Sequence, residues 1–70
     1  MRVRYGVVIE KAGNGYSGYV PDLPGCVAAG ASVASVKHEL EAAIPFHLDG
    51  MRAGGEVLAL PQSVVEWVEV

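Results

Sequence analysis

Apolar and polar positions alternate along the first twenty residues, recur in steps of three and four from Val33 onward, and alternate again at the end of the chain. Tyr5 to Lys11, with Val7, Val8 and Ile9 at its centre, reads as a β-strand. Val3, Tyr5, Val7 and Ile9 share one face, and Arg4, Gly6, Val8 and Glu10 the other, since side chains alternate across a strand. Val8 on the second face predicts that both faces are at least partly covered. Gly13-Asn14-Gly15 is a turn, because Asn and Gly accept the positive φ that tight hairpins need. Tyr16 to Val20 then returns antiparallel. Pro21-Asp22-Leu23-Pro24-Gly25 cannot continue a central strand, for proline fixes φ and removes a donor while glycine admits left-handed backbone. It forms a rigid corner, and Cys26 to Ala29 is a short third strand at a sheet edge.

Ser32 is the expected N-cap of a helix, its hydroxyl accepting from free N–H groups of the first turn. Ser35 stands where a Glu would complete a capping box, so no box is expected. Val33, Val36, Leu40, Ile44, Leu48 and Met51 trace one helical face, with Lys37, Glu41 and Asp49 away from it. Gly54-Gly55 ends the helix. Pro45 either kinks it or divides it in two; the pattern resumes in phase, which favours a kink. Glu56 to Ser63 is a loop, and Val64 to Val70 a last strand with apolar residues on both faces, one for the helix and one for a partner chain. The order is βββαβ, an α+β domain spanning residues 1–70, without repeats or linkers.

Composition changes this picture in one respect. A core in a chain of 70 residues seldom yields more than about 3–5 kcal/mol of net stability. Cys26 has no cysteine to pair with, and His38 and His47 stand alone, so neither a disulfide nor a closed metal site adds to it. The chain is 51% hydrophobic, more than one small core can hold, and the excess predicts a sticky face and a homodimer or larger assembly. The net charge of −3 and the scattered Arg2, Arg4, Lys11, Lys37 and Arg52 give no basic stripe for nucleic acid. No apolar run reaches the ~18 residues of a membrane helix, and no signal-peptide pattern follows Met1. A cytoplasmic protein is expected, and a free thiol suits that compartment.

Candidate chemistry is sparse. Glu10, Asp22, Glu39, Glu41 and Asp49 would need to converge to hold a catalytic metal, yet they fall on a strand end, a corner and a helix. His38 and His47 are nine apart on the helix, so they point in directions about 180° apart. Cys26 has no His or Asn indicated beside it to make it a nucleophile. The Gly13–Gly15 turn joins strands and opens no helix, so it is no phosphate loop. Tyr16 and Tyr19 lack the basic neighbours of a base-stacking platform. The residues therefore predict neither an enzyme nor a cofactor site, and a protein-binding module instead.

The run Tyr16-Ser17-Gly18-Tyr19-Val20-Pro21-Asp22-Leu23-Pro24-Gly25-Cys26 resembles the hallmark of HicB-type antitoxins, an aromatic strand entering a Pro-Asp-Leu-Pro-Gly-Cys corner. Gly30-Ala31-Ser32 and the amphipathic helix that follows continue the likeness over nearly the whole chain. It departs from the family pattern in lacking an acidic residue at the centre of the cap and in carrying Pro45. The resemblance implies a partial RNase H-like fold: a mixed four-stranded sheet of order 3-2-1-4 with one helix on one face. A right-handed crossover would lay the last strand parallel to the first. It also implies neutralisation of a small basic HicA-type mRNA interferase toxin by covering its active site and RNA surface. Many relatives bind DNA through a further C-terminal domain; this sequence stops at Val70, so direct DNA contact is not expected. Pro21, Asp22, Leu23, Pro24, Gly25 and Cys26 would serve architecture, Ser32 the helix cap, and Glu66 and Glu69 contact with the partner. The alternative is a stand-alone HicB-like oligomeric scaffold with no toxin.

Overall fold

In the computed structural model, which describes residues 3–58 and 60–70, the start of the chain forms a hairpin of β1 (Val8–Ala12) and β2 (Gly15–Tyr19). Ala12 pairs with Gly15, so the connection is Gly13-Asn14. Of these two residues only Gly13 has a positive φ, at 58°, at the first central position, as in a type II′ turn. β3 (Val27–Gly30) pairs antiparallel with β2, placing Gly18 opposite Ala28 and Tyr19 opposite Val27.

Helix α1 (Val33–Ala53) begins at Ser32, whose extended backbone and hydroxyl cap it. Contrary to the sequence reading, a capping box is present. The Ser35 hydroxyl accepts from the Ser32 N–H at 3.1 Å while the Ser32 hydroxyl accepts from the Ser35 N–H at 3.1 Å. The short serine at N3 reaches back as a Glu would. The helix runs unbroken through Pro45, which sets aside the alternative of two shorter helices. Pro45 supplies no N–H to the carbonyl of Glu41, and its exposed position leaves that carbonyl to water. At the far end the Glu56 N–H reaches the Met51 carbonyl at 2.9 Å.

α1 lies on one face of the sheet. A Cβ on Gly18 would stand 2.7 Å from Val36 Cγ1 and 3.1 Å from Leu40 Cδ1, and one on Gly30 would meet the Ser35 hydroxyl. Helix and sheet meet closely because small residues line the face between them. Val20, Leu23, Cys26, Val36 and Leu40 are buried there, and Tyr5, Val7, Ile9, Ile44, Leu48 and Met51 pack around them.

The fourth strand is not found. Among the described residues the sheet has three strands, ordered β1-β2-β3 and antiparallel throughout, not a mixed four-stranded sheet. Val65 Cγ2 lies 3.2 Å from where a Cβ on Gly6 would be, so the final segment does reach the side of β1. The β1 ladder starts only at Val8, however. An alternating segment becomes a strand only where a neighbouring backbone offers its N–H and C=O groups. Residues 66–70 join no ladder and are exposed.

Candidate functional site

The corner is built from the inside out. Two prolines leave few donors, and three of those present are used locally: the Leu23 N–H reaches the Val20 carbonyl at 3.0 Å, Cys26 N–H the Leu23 carbonyl at 3.0 Å, and Val20 N–H the Cys26 carbonyl at 3.1 Å. The chain can close this tightly because Gly25 has a φ of 87°, which a Cβ would penalise. The result is a plug. Val20, Leu23 and Cys26 point inward and make up three of the five buried core residues. Burial pushes the Cys26 thiol above its ordinary pKa, so it stays protonated and a poor nucleophile.

Asp22 faces the other way and fastens the end of the chain. Its carboxylate accepts from the Gln62 N–H at 3.1 Å, the Ser63 N–H at 3.0 Å and the Ser63 hydroxyl at 2.9 Å. The Ser63 N–H bond is the main cause that holds this carboxyl below its usual pKa, followed by those from Gln62 N–H and the Ser63 hydroxyl, against some desolvation. No spacing pattern signals this contact, since the partners are 40 and 41 residues away.

Two apolar surfaces remain uncovered. On the sheet face opposite α1, the register sets Val8, Tyr19 and Val27 side by side across the three strands, with Tyr19 42% and Val27 64% exposed. Beyond the outer edge of β3, an open groove of about 630 Å³ runs between the corner and the second half of α1. Val27, Phe46 and Met51 line it, with Pro24 and Gly25 at one end and His47 beside them. Phe46 is 82% exposed. Among the described residues no three His, Cys, Asp or Glu side chains gather as a metal site, and His38 and His47 are apart. No described helix is long and apolar enough to cross a membrane. What this arrangement offers is surface for a macromolecule.

A family model for HicB-like antitoxins of bacterial toxin–antitoxin systems matches residues 5–70. The chain belongs to this family. Its fold is also similar to a chain of a solved HicA3 and HicB3 toxin–antitoxin complex, with a TM-score of 0.72 and 32% identity, over 84% of this chain and 70% of that one. A 14.9 kDa protein of the rep–hol intergenic region of Haemophilus phage HP1 is 34% identical over 91% of this chain, which spans 48% of the phage protein. A UPF0150 protein of Helicobacter pylori is 36% identical over 90% of this chain and 89% of its own length.

Within this HicB-like chain, the family's corner motif turns out to be core and latch. Val20, Leu23 and Cys26 build the interior, Gly25 makes the turn, and Asp22 ties down residues 62 and 63. Ser32 caps α1 at the far end of β3. Glu66 and Glu69 lie exposed on the terminal segment, away from the corner in sequence and joined to it through Ser63. Phe46, Val27 and Tyr19 were not singled out by sequence reasoning as surface residues. A signal existed for Phe46: it falls two residues after Ile44, about 200° round the helix from the apolar stripe.

Proposed function

We propose that this protein is an antitoxin that binds a small basic ribonuclease of HicA type and blocks it by covering its catalytic and RNA-binding surface. The observation that carries this reading is the fold likeness to a chain of a toxin–antitoxin complex at 32% identity, joined to the family match over residues 5–70. Occlusion needs no chemistry from the antitoxin, and the protein acts as a non-enzymatic, soluble cytoplasmic partner. A net charge of −3 speeds and orients docking on a basic toxin, and apolar contacts then slow release. Glu66 and Glu69, exposed on the terminal segment, would meet basic side chains of the toxin.

Titration against the HicA-type toxin encoded beside this gene, reading complex formation and RNA cleavage together, tests the proposal. A complex that abolishes cleavage is expected, with association slowed by salt more than dissociation is hastened. Glu66→Lys with Glu69→Lys should weaken it. Absence of a complex at micromolar concentrations would instead favour a stand-alone oligomeric scaffold.

A further inference from the structure

The antitoxin reading leaves open which surface takes the toxin, and the two uncovered apolar surfaces differ in what surrounds them. On the open sheet face the row of Val8, Tyr19 and Val27 is followed by Glu10, Ser17 and Ala29, two small side chains and one carboxylate. The groove beyond β3 has a bare aromatic ring with an acid towards each end of it. On the helix surface the positions one turn from Phe46 include Ala42, Ala43 and Gly50, none large enough to cover a phenyl ring. A Cβ on Gly50 would meet nothing within 4 Å, so the space on that side of Phe46 is open. Glu56 lines the groove just past the end of α1. Glu39 is exposed on the same side of the helix as Phe46, two turns earlier and about 10 Å along the axis. No lysine or arginine is among the described residues that line the groove, and Arg52, in the last turn of α1, is paired with Asp49 at 3.1 Å.

Phe46, Glu39 and Glu56 select one kind of occupant. The face of an aromatic ring is negative and attracts a cation placed over it, within about 6 Å of its centre. Carboxylates on either side add to that attraction. An apolar side chain seated there would strip water from Glu39 and Glu56 and give them no partner, at a net cost. A phosphate or an acidic segment would be repelled by both. A guanidinium or ammonium on an apolar stem suits the whole groove: the head lies on the ring and bonds to a carboxylate, and the methylenes pack against Val27 and Met51. A ribonuclease must present such side chains, because a positively charged surface tracks the RNA backbone. We propose that this groove is the docking site for the toxin, and that an arginine or lysine of the toxin's RNA surface sits on the Phe46 ring between Glu39 and Glu56. The placement rests on the antitoxin reading; it names where the toxin sits and the contact that holds it. The antitoxin then occupies the same cations that would otherwise hold RNA.

Association and dissociation rates of the full chain with the HicA-type toxin encoded beside this gene test the placement. Phe46→Ala and Phe46→Leu should each weaken the complex by about tenfold or more, mainly through faster dissociation. Leucine keeps the apolar bulk, so its effect reports the ring itself, and Phe46→Trp, which keeps a ring face, should hold or tighten the complex. Glu39→Lys with Glu56→Lys should slow association, and by less in high salt. Tyr19→Ser, on the open sheet face, should leave the affinity unchanged. All these side chains are exposed, so helical circular dichroism should not change. Alanine replacement of the toxin's Arg and Lys residues in turn should find one whose effect vanishes on the Phe46→Ala background. A complex that Phe46→Leu or the double glutamate variant leaves intact, or that Tyr19→Ser weakens as much, overturns the placement and leaves the antitoxin reading standing. A wild type that forms no complex at micromolar concentration overturns both.

Discussion

Gly18→Ala is a small change with a calculable effect. Gly18 sits in β2, facing α1, and is buried. The added Cβ would lie 2.7 Å from Val36 Cγ1, 3.1 Å from Leu40 Cδ1 and 3.2 Å from Ile9 Cγ1. Carbon atoms settle at about 3.5–4.0 Å, so Val36 must retreat by about 1 Å. It has nowhere easy to go. Its β-branched side chain is nearly locked to one rotamer in a helix, and Val36 and Leu40 are both fully buried. Overpacking of this kind costs about 1–3 kcal/mol. Against it stand about 0.4–1 kcal/mol from the less flexible unfolded chain and about 0.8 kcal/mol for the buried methyl. The balance at the middle of these ranges is destabilising by about 0.5 kcal/mol, which matters where the whole core yields about 3–5 kcal/mol. Urea unfolding followed by helical circular dichroism reads it: with a slope of about 1 kcal/mol/M, the midpoint should fall by about 0.5 M. Val36→Ala alone should also destabilise, by leaving a cavity. The double variant should be more stable than the sum of the two, with a coupling above about 0.5 kcal/mol. A midpoint for Gly18→Ala at or above wild type, or strict additivity with Val36→Ala, would refute the close-packing argument.

Gly25→Ala and Gly50→Ala should move the urea midpoint in opposite directions: the first loses about 1–2 kcal/mol to left-handed backbone, because its Cβ meets nothing closer than His47 Cε1 at 4.0 Å. The second gains about 0.5–1 kcal/mol as an open mid-helix position. Asp22→Asn should lower the midpoint at neutral pH and speed amide exchange at Gln62 and Ser63. The folded-state pKa of Asp22 is lowered from 3.8, so its contribution is complete above that value and lost as pH falls through the lower folded one; the gap between wild type and Asp22→Asn should close over that acidic range. The Cys26 thiol, buried and raised in pKa, should react slowly with alkylating reagents at neutral pH in native protein and quickly in urea.

The hairpin, corner and helix were legible in the sequence because each follows local rules. Gly13-Asn14 sets a two-residue loop, Pro21 and Pro24 forbid a strand, and Ser32 with the stripe from Val36 to Leu48 starts and directs α1. The family, too, was legible in the corner motif. The last segment was not, because alternation from Val64 to Val70 states what the segment can pair with but not whether an edge lies beside it. The Asp22 contacts escaped for a related reason: a carboxylate that binds backbone N–H groups 40 residues on leaves no spacing pattern. The capping box escaped because Ser35 does with a short hydroxyl what a glutamate does with a long side chain.

The Asp22 latch also sets an order in time. Every element of the packed layer, from β1 to the end of α1, precedes Gly54, while the latch waits for Ser63. Helix and sheet can therefore pack on each other before Gln62 and Ser63 close on Asp22. Ring closure over 41 residues is then made on a finished surface, so that only the segment after Gly54 still loses entropy, not a random coil of the full span.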